Sequence, residues 1–198
     1  MFVLLLLPAL ADPADPTKVR PDKWAQPVPG STLENFYRVS ADLYRSEQSR
    51  ASDIPDLKAL GIKTVFSLRH YHHDSPEFDQ AGFVSLQCPM DAGSASAAEL
   101  VAALRLIRSA PKPVLLHCWH GSDRTGFVVA GYRMIFMNWS AAEAIAELRL
   151  GGFGYHEAFY ANLLRTLRGL DVAGVRQAVF REAGAGSPVA PEKQPASK

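Results

Sequence analysis

Apolar and polar positions alternate in blocks along this chain, and the blocks predict alternating strands and helices. NFYRVS (35–40) and LYRSE (43–47) read as two short strands separated by Ala41 and Asp42. KTVFSLR (63–69) is β-branched and apolar, as a buried strand is, and GFVSLQCP (82–89) reads as another strand. KPVLLHC (112–118) is a continuous apolar run, the pattern of a central parallel strand covered on both faces. Helical spacing takes over between these runs. SDIPDLKALG (52–61) predicts a short helix capped by Ser52 and stopped at Gly61. SAAELVAALRLIRSA (96–110) places Leu100, Ala103, Leu104 and Ile107 on one face. TGFVVAGYRMIFMN (125–138) is apolar almost all round and predicts a buried helix. Three more helices follow, over 140–152, 156–169 and 172–183.

That alternation is the signature of an α/β layer around a mainly parallel sheet. In such sheets ligands bind beyond the carboxyl ends of the strands. Three loops leave such ends, after Arg69, Cys88 and Cys118, and they are expected to meet at one site.

The ends of the chain read differently. MFVLLLLPALA has the length of a secretory apolar segment, too short to span a bilayer, and closes on Ala9-Leu10-Ala11. Residues 1–11 are therefore expected to be a signal peptide cut after Ala11, although a basic segment before the run is missing. A buried strand or an uncleaved anchor is the alternative. Cleavage would leave a periplasmic or secreted protein with no stable membrane insertion. Residues 12–30 are proline-rich and read as an extended linker, 31–183 as one folded domain and 184–198 as a disordered tail.

Composition narrows the function classes. The 21 basic and 20 acidic residues leave a formal net charge of +1, so no nucleic-acid partner is expected and any anion site must be built locally. Two cysteines cannot make a disulfide scaffold for 198 residues. No pattern calls for a partner subunit, and a monomer is expected.

The chemistry concentrates in HCWHGSDRTG (117–126), between the central strand and the buried helix. Backbone amides of Trp119, His120, Gly121, Ser122 and Asp123 can point at one centre there, and the helix N-terminus adds partial positive charge. The Arg124 fork can bind two phosphate oxygens at that centre. The same field favours the thiolate of Cys118, the reactive form. Gly121 allows the tight bend, and the Thr125 hydroxyl can donate to the cysteine sulfur. One loop thus combines an oxyanion cradle with a nucleophile.

These residues resemble the H-C-x5-R-[ST]-G signature of cysteine-dependent protein tyrosine phosphatases, in the dual-specificity branch. With LYRSEQ, GIKTVFSLR and LRLGGFG, the likeness spans about residues 34–181 and is similar to a bacterial group of small, exported phosphatases. The resemblance implies a three-layer fold with a small, mainly parallel sheet flanked by helices. It also implies hydrolysis of phosphotyrosine, with phosphoserine and phosphothreonine as further substrates, through a phosphocysteine. A phosphorylated protein would be the partner, with the periplasmic domain of a membrane protein as one candidate. The family's general acid matches Asp91, 27 residues before Cys118, with Asp74 and Asp79 as weaker candidates. His117 orders the loop on the same analogy.

Other residues carry bland readings as well. The histidines of HYHHD (70–74) fit no structural zinc spacing and read as a solvated rim, so neither metal nor cofactor is expected. Cys88 is either a small packing residue or a partner that caps an oxidised Cys118. Arg45 and Arg69 either attract phosphate or fix loops. Asp123 would repel an anion and is expected to turn its side chain outward. A small-molecule or lipid phosphatase of the inositol phosphate type is the second functional reading, and a catalytically silent phosphate-binding module the third.

Overall fold

The computed structural model describes residues 20–181. The expected signal peptide and tail, and residues 12–19, lie outside them. Six strands form one sheet in the order β1-β2-β3-β6-β4-β5. The outer strands β1 (Gln26–Pro27) and β2 (Tyr37–Arg38) are antiparallel to each other, and β2 is antiparallel to β3 (Leu43–Ser46). From β3 onward the sheet is parallel through β6 (Val114–His117), β4 (Thr64–Ser67) and β5 (Val84–Gln87).

Every residue of β3, β4 and β6 is buried, because helices cover both faces. The period of two divides the side chains between layers. Leu43, Phe66, Val114 and Leu116 enter the larger core, with α3 (Ala97–Ser109), α4 (Asp123–Phe136), α5 (Ala141–Leu150), α6 (Glu157–Arg168) and α7 (Val172–Phe180). Tyr44, Val65 and Leu115 face the smaller core, with Leu57 of α1 (Ile54–Ala59) and Phe78 of α2 (Glu77–Gln80). This is the expected three-layer α/β arrangement. The residues read as the buried face of α3, Leu100, Ala103, Leu104 and Ile107, are its buried residues.

Two expectations need correction. The capping serine expected at Ser52 does not cap a helix. A 3-10 turn over Ala51–Asp53 precedes α1, and Asp53 Oδ2 accepts from the Arg50 amide at 2.7 Å. The linker expected over 12–30 is also wrong in its second half. Gln26 and Pro27 pair with Arg38 and Tyr37 at the sheet edge, where proline is tolerated. The wholly buried Ala25 donates its amide to Glu147 Oε1 at 2.5 Å. Arg20 donates to the Gly151 carbonyl at 2.9 Å and lies over the rings of Tyr37 and Phe153. Residues 20–30 are thus bound to the domain, with turns on either side of the two-residue strand.

Candidate active site

The cysteine loop joins the buried end of β6 to the buried helix α4. Its backbone has one consistent orientation, read from its carbonyls. Cys118 O faces Nδ1 of His117 at 3.0 Å, and Trp119 O accepts from the Gln48 amide at 2.9 Å. His120 O accepts from Asn35 Nδ2 at 2.8 Å, and Gly121 O from Arg45 Nη2 at 2.5 Å. Three of these oxygens accept hydrogen bonds from the surrounding protein and the fourth faces the His117 ring. In a planar trans peptide the N–H points opposite to the C=O. The amides of Trp119, His120, Gly121 and Ser122 therefore turn the other way, and among the described residues no protein acceptor takes them. A concave set of free N–H donors is an anion cradle.

Several side chains hold that orientation. Arg45 is 1% exposed, on a strand beside β6, and its guanidinium lies 3.7 Å from the Phe153 ring centroid. Burial lowers its pKa to about 10 against the opposing pull of Glu147 and Cys118. Arg45 therefore braces the loop through Gly121, the loop-fixing one of the two roles expected of it. Gly121 has φ +70°, and a Cβ there would stand 2.3 Å from the Ser46 carbonyl oxygen. Asn35, itself at φ 52°, also donates to the Phe153 carbonyl and so ties the loop to the α5–α6 connection.

His117 is wholly buried, and its Nε2 lies 3.0 Å from Asp74 Oδ2. Asp74 also accepts from Gln48 Nε2 at 3.2 Å. It is engaged below the loop, which removes it from contention as the acid. Asp123 does turn away from the cradle, and its carboxylate accepts from the His156 amide at 2.9 Å and faces the His156 ring. Cys118 is 2% exposed at the start of the loop. Thr125 is fully buried, and its hydroxyl has no hydrogen-bond partner, the Cys118 sulfur included.

The three loops do converge. Arg69, His70, Tyr71 and His72 from the first, Met90, Asp91 and Ala92 from the second, and Trp119 and Arg124 from the third line one cavity of about 350 Å3. Tyr160 of α6 completes its wall. Arg124 reaches the Met90 carbonyl with one nitrogen at 3.4 Å, while Asp91 is exposed beside it. Asp79 does not line this cavity and is bonded to Ser85 at the far side of β5. Arg69 is held by Gln48 and stacks on Trp119 at 4.6 Å, with Trp119 58% exposed at the cavity mouth. Partial burial and the nearby Arg124 charge lower the Arg69 pKa.

Cys88 and Cys118 are both free thiols. Ser67 pairs with Gln87 on one side and His117 on the other, so strand β4 runs between the two cysteines. Two strand spacings put their Cα atoms about 9–10 Å apart, beyond the roughly 7 Å that a disulfide spans.

A deep cysteine, an arginine and an amide cradle at the carboxyl end of a parallel sheet, beside a carboxylate loop, define a cysteine-dependent phosphatase class. The chain belongs to the tyrosine phosphatase family, whose model matches residues 31–166. It is 36% identical over 168 residues to the dual specificity protein phosphatase TpbA of Pseudomonas aeruginosa, covering 84% of this chain and 75% of that protein. The crystal structure of P. aeruginosa TpbA superposes with a TM-score of 0.73 at 35% identity, over 82% of this chain and all of that one (100%). A cysteine-to-serine form of TpbA in complex with phosphotyrosine gives 0.71 at 34% identity, over 81% and 98%. The catalytic domain of the yeast PP-IP phosphatase SIW14 shares the fold, with a TM-score of 0.65 at 23% identity over 73% and 90%.

Sequence reasoning did not find Asn35, Asn162 or the partnership of His117 with Asp74. Only the left-handed backbone of Asn35 has a sequence correlate, since asparagine tolerates that region.

Proposed function

We propose that this protein hydrolyses phosphotyrosine on proteins, and phosphoserine and phosphothreonine as well, through a phosphocysteine on Cys118. The observation that carries the reading is the outward orientation of four consecutive loop carbonyls, which leaves their paired amides free of protein acceptors among the described residues. Those amides and the Arg124 fork hold the non-bridging oxygens as charge develops. The Cys118 sulfur attacks phosphorus, the S–P bond forms and the P–O bond to the tyrosine breaks. Asp91 gives its proton to the departing oxygen. It then takes a proton from water, which attacks phosphorus and releases phosphate and the thiolate. The Thr125 hydroxyl, buried without a partner, is free to donate to that thiolate.

The substrate class rests on likeness to TpbA, for which a phosphotyrosine complex is known. The test is turnover of matched phosphotyrosine, phosphoserine and phosphothreonine peptides beside inositol phosphates. Phosphopeptide turnover that disappears in Cys118→Ser is expected. Preference for inositol phosphates would replace the protein substrate.

Export is the second part of the reading, supported by the apolar run and Ala9-Leu10-Ala11. A phosphorylated periplasmic domain of a membrane protein would then be within reach. Cell fractionation with mass spectrometry of the mature N-terminus tests it, with a start at Asp12 in the periplasmic fraction expected. A full-length cytoplasmic protein would contradict it.

A further inference from the structure

The proposed acid, Asp91, has little of its own to hold it. Its side chain is exposed, and its one hydrogen bond among the described residues is from the Gly93 amide, 2.8 Å away on the same loop. Where the carboxyl group sits is therefore decided by the loop backbone. Upstream, Met90 is fully buried, and its amide donates to the carbonyl of Leu68, the residue after β4. Beyond Asp91 a single side chain from another element bonds the stretch 91–95 among the described residues. This is Asn162, whose Nδ2 donates to the Ala92 carbonyl at 2.8 Å.

Asn162 reaches that carbonyl from an irregular helix. Tyr160 interrupts α6 with φ −122° and ψ 37°, and its carbonyl accepts from the Tyr155 hydroxyl at 2.6 Å. Burial and the Glu157 charge push the Tyr155 pKa up to about 12, so its hydroxyl keeps its proton throughout the neutral range. The break lets one short segment do two things. Tyr160 lines the cavity that holds Asp91 and Arg124, and Asn162, two residues on, holds the acid loop.

We propose that Asn162 is the positioning residue that sets Asp91 for proton transfer, acting through the Ala92 carbonyl. This rests on the reading of Asp91 as the acid. A misplacement of about 1 Å in a reacting group can cost 10²-fold in rate, so one hydrogen bond at this point has a measurable effect.

The experiment is a double-mutant cycle on the full chain, read with two leaving groups. Asn162→Ala and the isosteric Asn162→Asp, which sets an acceptor against the Ala92 carbonyl, are each made alone and with Asp91→Asn. Loss of kcat/KM on the order of 10- to 100-fold is expected with phosphotyrosine peptide, whose leaving oxygen needs a proton in the step that forms the phosphocysteine. A much smaller loss is expected with p-nitrophenyl phosphate, whose leaving group departs unprotonated. In the Asp91→Asn background neither Asn162 substitution should lower kcat/KM further, because residues acting as a unit are not additive. A general structural role predicts equal losses on both substrates and in both backgrounds, and that result overturns the proposal. If Asp91→Asn alone leaves phosphotyrosine turnover intact, the acid assignment falls and the role of Asn162 falls with it. A full loss in Asp91→Asn with additive Asn162 effects rejects only the positioning role.

Discussion

Asp74 Oδ2 lies 3.0 Å from Nε2 of His117, in a pair whose side chains are 5% and 0% exposed beneath the cysteine loop. The other ring nitrogen faces the Cys118 carbonyl, so the pair links the first loop after the sheet to the nucleophile's own peptide unit. Removing Asp74 leaves a buried ring nitrogen without a partner, which costs about 1–3 kcal/mol. Asp74→Ala is expected to lose that much stability in urea unfolding and to lower kcat as the loop loosens. Asp74→Asn keeps an acceptor oxygen and is expected to lose less on both counts.

Gly121 holds the tightest point of the cradle. A side chain there meets both a left-handed φ and the Ser46 carbonyl. Gly121→Ala is expected to destabilise the protein by more than about 1 kcal/mol and to weaken binding of vanadate, a phosphate mimic. Thermal unfolding and vanadate inhibition measure the two effects.

Arg133 and Glu147 form a bidentate pair at 2.7 and 2.8 Å, both almost fully buried, and Glu147 also receives the Ala25 amide. Glu147→Ala strands the guanidinium and frees the N-terminal strand together. Breaking such a pair costs about 3–5 kcal/mol, and that loss is expected in chemical denaturation. Faster proteolysis before Ala25 should accompany it.

Cys88 sits where burial, helped by the Glu99 charge, pushes its thiol pKa up. It is therefore protonated at neutral pH and a poor nucleophile. After peroxide treatment no Cys88–Cys118 disulfide is expected, and Cys88→Ala should inactivate and recover as the natural chain does. A disulfide-linked peptide pair in mass spectrometry would contradict the separation inferred from strand register.

Much of this was legible in the chain itself. The buried runs of β4 and β6 and the apolar face of α3 follow from local periodicity, and the cysteine loop is contiguous. What periodicity could not reveal joins distant positions. Asp74 meets His117, Asn162 meets Ala92, and Ala25 meets Glu147 through side-chain geometry that only the folded chain creates. Of the two roles open to Arg45, loop fixing is selected only where Phe153 and the Gly121 carbonyl close around its guanidinium.

The most direct measurement is rapid quenching of the protein with phosphotyrosine peptide, followed by peptide mass spectrometry. A phosphoryl adduct on the peptide carrying Cys118 is expected within the first turnover. It should be absent from Cys118→Ser. Steady turnover with no such adduct, or turnover that survives in Cys118→Ser, would contradict the account.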